Sequence, residues 1–184
     1  MRKVLICFAF ILGSTAQAEE VVIAALGDSL TQGYGLSAEE GFVPQLQAWL
    51  DAEGVEATVV NAGVSGDTTA GGLARVDWTL TPEVDAMIVT LGGNDMLRGL
   101  DPAQARGNID GILAAAKQAK VYVLLVGMSA PGNYGASYKA DFEGLYPALA
   151  EQYETLFYPD FFTGLLAEEK GAATARSETI QRYF

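Results

Sequence analysis

Five short apolar runs alternate with amphipathic stretches along this chain of 184 residues, and that alternation leaves few folds open. The runs are Val21–Leu26, Ala57–Asn61, Val84–Leu91, Val121–Val126 and a weaker Thr155–Tyr158. Each is apolar at consecutive positions, the pattern of strands covered on both faces. Between them lie helical stripes. Phe42, Val43, Leu46, Trp49 and Leu50 form one, which places Trp49 in the core. Ala105, Ile109, Ile112, Leu113 and Ala116 form a second. Tyr138, Phe142, Leu145, Tyr146 and Leu149 form a third, in which Pro147 predicts a kink or a restart. Thr68–Leu80 is a weaker helix, and Trp78 within it has no clear assignment. Strand starts recur roughly every thirty residues, the length of a strand-helix-strand unit. The pattern predicts a single three-layer α/β/α domain, a doubly wound parallel sheet of about five strands.

The first eighteen residues read differently. Arg2 and Lys3 precede the apolar run Val4–Leu12, and Ala16-Gln17-Ala18 is a small-x-small cleavage site. Residues 1–18 are therefore expected to be an export signal and 19–184 the domain. The destination is the bacterial periplasm or the outside of the cell. The apolar run is too short to span a bilayer, so no stable membrane insertion is expected after cleavage. The single cysteine, Cys7, falls inside the signal, which removes disulfides, thiol catalysis and cysteine metal ligands from the remainder.

Charge narrows the partners. Residues 1–18 hold two of the 11 basic residues and none of the 23 acidic ones, which leaves nine basic against 23 acidic residues, a net charge of −14. Nucleic-acid binding rests on neutralising phosphates, so it is excluded as a function class. Anionic membrane surfaces are disfavoured on the same ground. The sequence contains no histidine, which removes the usual general base and the commonest transition-metal ligand.

In a doubly wound sheet, ligands bind outside the carboxyl ends of the strands. Four glycine-rich polar segments fall there: Gly27-Asp28-Ser29-Leu30, Gly63-Val64-Ser65-Gly66-Asp67, Gly92-Gly93-Asn94-Asp95, and Gly127-Met128 onward to Gly132-Asn133-Tyr134. Ser29 follows the first strand, with Gly27 permitting a tight turn. It can serve as a nucleophile or as a helix N-cap. The Gly66 N–H is open to close approach by a substrate oxygen, or the residue serves a turn. The Asn94 side chain is a neutral donor, or caps a helix. Taken together with the Ser29 N–H, these groups compose a three-donor oxyanion hole.

The four segments resemble those of the SGNH hydrolase family of GDSL-type esterases, closest to the bacterial periplasmic thioesterase I, arylesterase and lysophospholipase subgroup. The matching stretches are Gly27–Tyr34, Asn61–Thr68, Leu91–Gly99 and Pro131–Gly135, in family order over most of the chain. The resemblance implies a flavodoxin-like sheet and Ser29 as nucleophile, with Gly66 and Asn94 in the oxyanion hole. It also implies a shallow cleft for acyl esters in which Asp28, Leu30, Met128, Asn133 and Tyr134 meet the substrate. No metal or organic cofactor is needed. The partner is a small-molecule ester: an aryl or short acyl ester, a thioester or a lysophospholipid. The protein is expected to act as a monomer.

The family's last block, Asp-x-x-His followed by a final helix, has no match. The chain reads Thr179-Ile180-Gln181-Arg182-Tyr183-Phe184 about where that block begins. A truncated copy of a working esterase is the favoured explanation, and little or no esterase activity is expected of the 184 residues, because a serine hydroxyl without a base is a weak nucleophile. Loss of the final helix is expected to uncover part of one sheet face. A non-catalytic acyl- or glycan-binding pseudoenzyme is the alternative, with Trp49 and Trp78 as conceivable sugar platforms. Gly33-Tyr34-Gly35-Leu36-Ser37-Ala38 fits a loose dinucleotide pattern, but it begins too far from its strand. Asp28, Asp67 and Asp95 invite a Mg²⁺ reading, which the resemblance replaces by loop orientation.

Overall fold

The computed structural model describes residues 20–163. The segment expected to be an export signal, 1–18, and the C-terminal residues where the family's last block was sought lie outside them. Strands β1 (Val21–Gly27), β2 (Ala57–Gly63), β3 (Ala86–Thr90), β4 (Tyr122–Val126) and β5 (Leu156–Tyr158) form one sheet in the order β2-β1-β3-β4-β5. Every pairing is parallel. This is the doubly wound order, with its switch point between β1 and β3. Helices α1 (Ser29–Gln32), α2 (Phe42–Ala52), α3 (Thr69–Thr79), α4 (Gly93–Leu97), α5 (Pro102–Ala119) and α6 (Ala136–Tyr153) connect the strands. Single 3₁₀ turns lie at Ala38–Glu40 and Gly132–Tyr134.

The strands form because β-branched and aliphatic residues run consecutively, and both faces find partners. On one face Ala24, Leu26, Met87, Val89, Val123 and Leu125 pack against α3, α5 and α6. On the other, Ala25, Ala57 and Val59 meet Val43 and Leu50 of α2. That second face continues in register from Ala25 to Ile88, Leu124 and Leu156. Here Leu156 is 72% exposed and Tyr122 82% exposed. A cavity of about 660 Å³ opens over Ile88 and Leu124. Among the described residues no helix is long and apolar enough to cross a membrane.

Helix starts follow local chemistry. The Asp101 carboxylate caps α5 by accepting from Ala103 N at 2.9 Å, with Pro102 in the first turn. The Thr68 hydroxyl accepts from Gly71 N at the start of α3, the weaker helix of the sequence.

Two expectations are corrected. Trp49 is 58% exposed rather than in the core. The sheet-facing arc of α2 is narrow, running through Val43, Leu46 and Leu50, and a neighbour one residue away points about 100° aside. Of the kink or restart expected at Pro147, the restart does not occur, because α6 runs unbroken from Ala136 to Tyr153. Proline costs one backbone hydrogen bond, and the burial of Phe142, Leu145, Tyr146 and Leu149 along the helix offsets it.

Buried Tyr146 also fixes the end of β3. Its hydroxyl donates to Leu91 O at 2.9 Å, just before the turn that begins α4. Burial pushes this phenol well above its usual pKa, so it stays a donor at any physiological pH. Tyr146→Phe leaves the Leu91 carbonyl without that donor and is expected to cost about 1–3 kcal/mol of stability in urea titration. An unchanged midpoint would show that the bond contributes nothing.

Candidate active site

The carboxyl ends of β1, β2 and β3 deliver three loops to one place, and glycines allow them to meet. A Cβ on Gly27 would lie 1.9 Å from Thr31 Oγ1 and 2.9 Å from Thr90 O. A Cβ on Gly63 would lie 2.3 Å from Gln32 N. Helix α1 therefore rests directly on two strand ends. Close approach, and not the tight turn expected from sequence, is what Gly27 supplies.

Asp28 is buried and caps α1, its Oδ1 accepting from Leu30 N at 3.0 Å. Its Oδ2 accepts from Asn94 Nδ2 at 3.3 Å. Burial raises the Asp28 carboxyl above the ordinary aspartate pKa, against the opposing pull of these hydrogen bonds. Half-buried Ser29 opens α1. Among the described residues no side chain hydrogen-bonds its hydroxyl.

Asn94 lies in the first turn of α4 and joins the other two loops. Its Nδ2 donates to Asp67 O at 2.9 Å as well as to Asp28 Oδ2. Those acceptors belong to the immediate neighbours of Gly66 and Ser29, so the loops carrying Ser29, Gly66 and Asn94 come together. Gly66 is exposed with φ +82°.

The other sequence-derived residues divide by depth. Leu30 lines a cavity of about 190 Å³ beside Ser29. Met128 is buried under Gly93, its sulfur 3.4 Å from where a Cβ would stand. With Asp28 it shapes the site from beneath. Asn133 and Tyr134 are exposed and do not line that cavity. The Tyr134 hydroxyl donates to Leu97 O at 3.3 Å, and its ring stands 4.9 Å from Tyr138. Lys139 and Glu143 of α6 form an ion pair that holds the loop after β4 at Ala130. Lys139 Nζ donates to Ala130 O at 2.6 Å, and Ala130 N donates to Glu143 Oε1 at 3.0 Å.

The three strand-end aspartates are each engaged by a structural partner. Asp95 accepts from Thr69 N and Thr69 Oγ1 at 2.8 and 2.6 Å. Asp67 takes Arg75 Nε at 2.7 Å, and Asp28 is engaged as described. Among the described residues no group of His, Cys, Asp and Glu is arranged to hold a metal.

Sequence reasoning missed three residues. Arg75 donates from Nη1 to Ala62 O at 2.7 Å and from Nη2 to Gly27 O at 2.9 Å. The Gln32 Oε1 accepts from Ser65 N at 2.9 Å, and Arg98 Nη2 donates to Gly66 O at 2.8 Å. Their targets are backbone groups, which no side-chain motif announces. Phe42 and Phe161, with ring centroids 5.8 Å apart, also line the cavity beside Ser29. Phe42 reads in sequence as one more core position.

A serine follows the first strand, and the loops after the next two strands are tied to its own by Asn94. The chain belongs to the GDSL-like lipase/acylhydrolase family, whose model matches residues 25–178. It is 42% identical over 168 residues to Esterase TesA of Pseudomonas aeruginosa, a match spanning 90% of this chain and 83% of that protein. It is 34% identical over 160 residues to an arylesterase of Vibrio mimicus, spanning 86% of this chain and 80% of that one. Among solved structures, AlinE4, an SGNH-hydrolase family esterase, superposes with a TM-score of 0.78 at 44% identity, covering 87% of this chain and 84% of that chain.

The buried Asp28 carboxyl gives a pH test. Its folded pKa is raised, so the native state holds a proton that the unfolded chain releases near pH ~3.9. The Asp28 contribution to stability therefore falls as pH rises from that value through the folded pKa, opposite to the usual carboxylate. Carboxyl ¹³C titration is expected to place Asp28 above the unfolded value, and Asn94→Ala to move it higher by removing a donor to the ionised form. A downward move would overturn the assigned role of Asn94.

Proposed function

We propose that this chain is a serine hydrolase for carboxylic esters, with Ser29 as the nucleophile. The observation that carries this reading is the position of the Asn94 amide, held between the neighbours of Ser29 and Gly66. Ser29 Oγ attacks the acyl carbonyl carbon. The resulting oxyanion accepts from the backbone N–H groups of Ser29 and Gly66 and from Asn94 Nδ2. Collapse breaks the bond to the alcohol, which leaves with the proton from Ser29. Water then adds to the acyl-enzyme and releases the acid.

In the free site one Asn94 hydrogen is committed to Asp67 O at 2.9 Å, while the other makes the longer contact to Asp28 Oδ2 at 3.3 Å. That weaker contact supports sharing of the second hydrogen with an oxyanion. The cavity of about 190 Å³ beside Ser29 is lined by Leu30, Leu36, Phe42 and Phe161. It is smaller than the roughly 300–1,000 Å³ of sites for drug-sized ligands. Its size and aromatic lining support aryl and short acyl esters as substrates, with thioesters and lysophospholipids as further members of the class. Residues 1–18 support export, with the reaction in the periplasm or outside the cell.

A histidine oriented by an aspartate is the base this chemistry calls for, and the sequence contains none. The 184 residues are therefore expected to retain only the residual catalysis of an oxyanion hole and binding, roughly 10³–10⁴ over water. Incubation with p-nitrophenyl butanoate and peptide mass spectrometry test the assignment. A butanoyl adduct on the Ser29 peptide, absent in Ser29→Ala and reduced about 10²–10³-fold in rate by Asn94→Ala, is the expected result. No adduct, with ester binding intact in Ser29→Ala, would instead make the chain a binding protein.

A further inference from the structure

The donor with the least intrinsic rigidity in this site is the Gly66 N–H. Gly66 is exposed and belongs to Val64-Ser65-Gly66-Asp67, a β-turn closed by Asp67 N donating to Val64 O at 3.1 Å. Gly66 occupies the third position with φ +82°, and Ser65 is not among the residues of positive φ. The turn is therefore type II, not type I′. Types I and II differ in the direction of the central peptide. In this turn that peptide joins Ser65 to Gly66, and its N–H is the donor in question.

Two side chains hold the peptides on either side. Ser65 N, in the preceding peptide, donates to Gln32 Oε1 at 2.9 Å. Gly66 O, in the following peptide, accepts from Arg98 Nη2 at 2.8 Å. Gln32 is the last residue of α1, the helix that Ser29 opens, and Arg98 caps the end of α4, the helix that carries Asn94. With both flanking planes fixed, the central peptide retains two orientations about half a turn apart. The left-handed φ of glycine then selects type II. Arg98 makes no ion pair among the described residues, so its guanidinium is available to the Gly66 carbonyl.

We propose that Gln32 and Arg98 are positioning residues of the oxyanion hole, aiming the Gly66 N–H by pinning the two peptides that flank it. This rests on the reading of Gly66 as an oxyanion donor. Neither residue touches the substrate. One ties the turn to the nucleophile's helix and the other to the helix of the second donor, so all three donors keep one geometry. Their loss misaims a donor without removing it.

The test is equilibrium binding of phenylboronic acid, which forms a tetrahedral adduct with a serine hydroxyl and places an oxygen in the hole. Affinity is read by titration, and the Gly66 amide is followed in ¹H–¹⁵N spectra. Gln32→Leu and Arg98→Met are each expected to weaken binding roughly tenfold, a fraction of the loss on deleting a donor outright. Gln32→Glu keeps an acceptor and Arg98→Lys keeps a donor, and both are expected to bind within about threefold of the parent and to preserve the Gly66 amide shift. If the apolar variants do not fold, Arg98→Ala and Gln32→Ala serve in their place. Folded variants that bind phenylboronate as tightly as the parent, whatever their melting temperature, overturn the proposal. Ser29→Ala separates the two readings. Binding that survives it refutes the serine-hydrolase assignment, whereas binding that needs Ser29 but neither Gln32 nor Arg98 refutes only this inference.

Discussion

The guanidinium of Arg75 is the point from which the rest of the site is hung. It donates to carbonyls at the ends of two neighbouring strands, Gly27 O of β1 and Ala62 O of β2, and it pairs with the Asp67 carboxylate at 2.7 Å. Charge-assisted bonds in a planar fork fix direction as well as distance. The loop after β1 carries Ser29 and the loop after β2 carries Gly66. The Asp67 backbone carbonyl, in turn, receives the amide of Asn94 from the loop after β3. A single side chain thus sets the separation of two loops and orients the acceptor that places the third.

Around that clamp, the acidic residues at the strand ends act on the protein itself. Asp28 caps α1 and meets Asn94, Asp67 meets Arg75, and Asp95 holds Thr69 at the start of α3. Asn108 on α5 extends the last of these by donating to Thr69 Oγ1 at 2.9 Å. The carboxylates compensate buried donors and join loop to helix. The family's esterase relatives share this fold and much of this sequence.

Much of the fold was legible in the sequence because burial on both faces of a parallel strand leaves an unbroken apolar run. Val21–Gly27 and Tyr122–Val126 fall within a residue or so of the runs that announced them. The side-chain environment of α2 was less legible. A helical stripe has a direction, but its buried width depends on the area of sheet beneath it, which no local pattern encodes, and Trp49 fell outside that width. Pro147 shows the same limit, since tertiary burial outweighs a local penalty.

The site divides along a similar line. Ser29, Gly66 and Asn94 were readable because they sit in glycine-rich loops at predicted strand ends. Gln32, Arg75 and Arg98 were not, because their partners are backbone atoms between 13 and 48 positions away and chain topology alone brings them within reach. The aromatic wall beside Ser29 was hidden for another reason. Phe42 satisfies a core stripe as well as it lines a cavity, and its partner Phe161 lies beyond the last strand.

The most direct test of the account is a crystal structure of the chain with a tetrahedral boronate or phosphonate on Ser29. The account predicts one adduct oxygen within about 2.7–3.1 Å of Ser29 N, Gly66 N and Asn94 Nδ2 together, with the Asn94 contact to Asp28 lengthened. An adduct oxygen turned to solvent, with both Asn94 hydrogens still on Asp28 and Asp67, would contradict it.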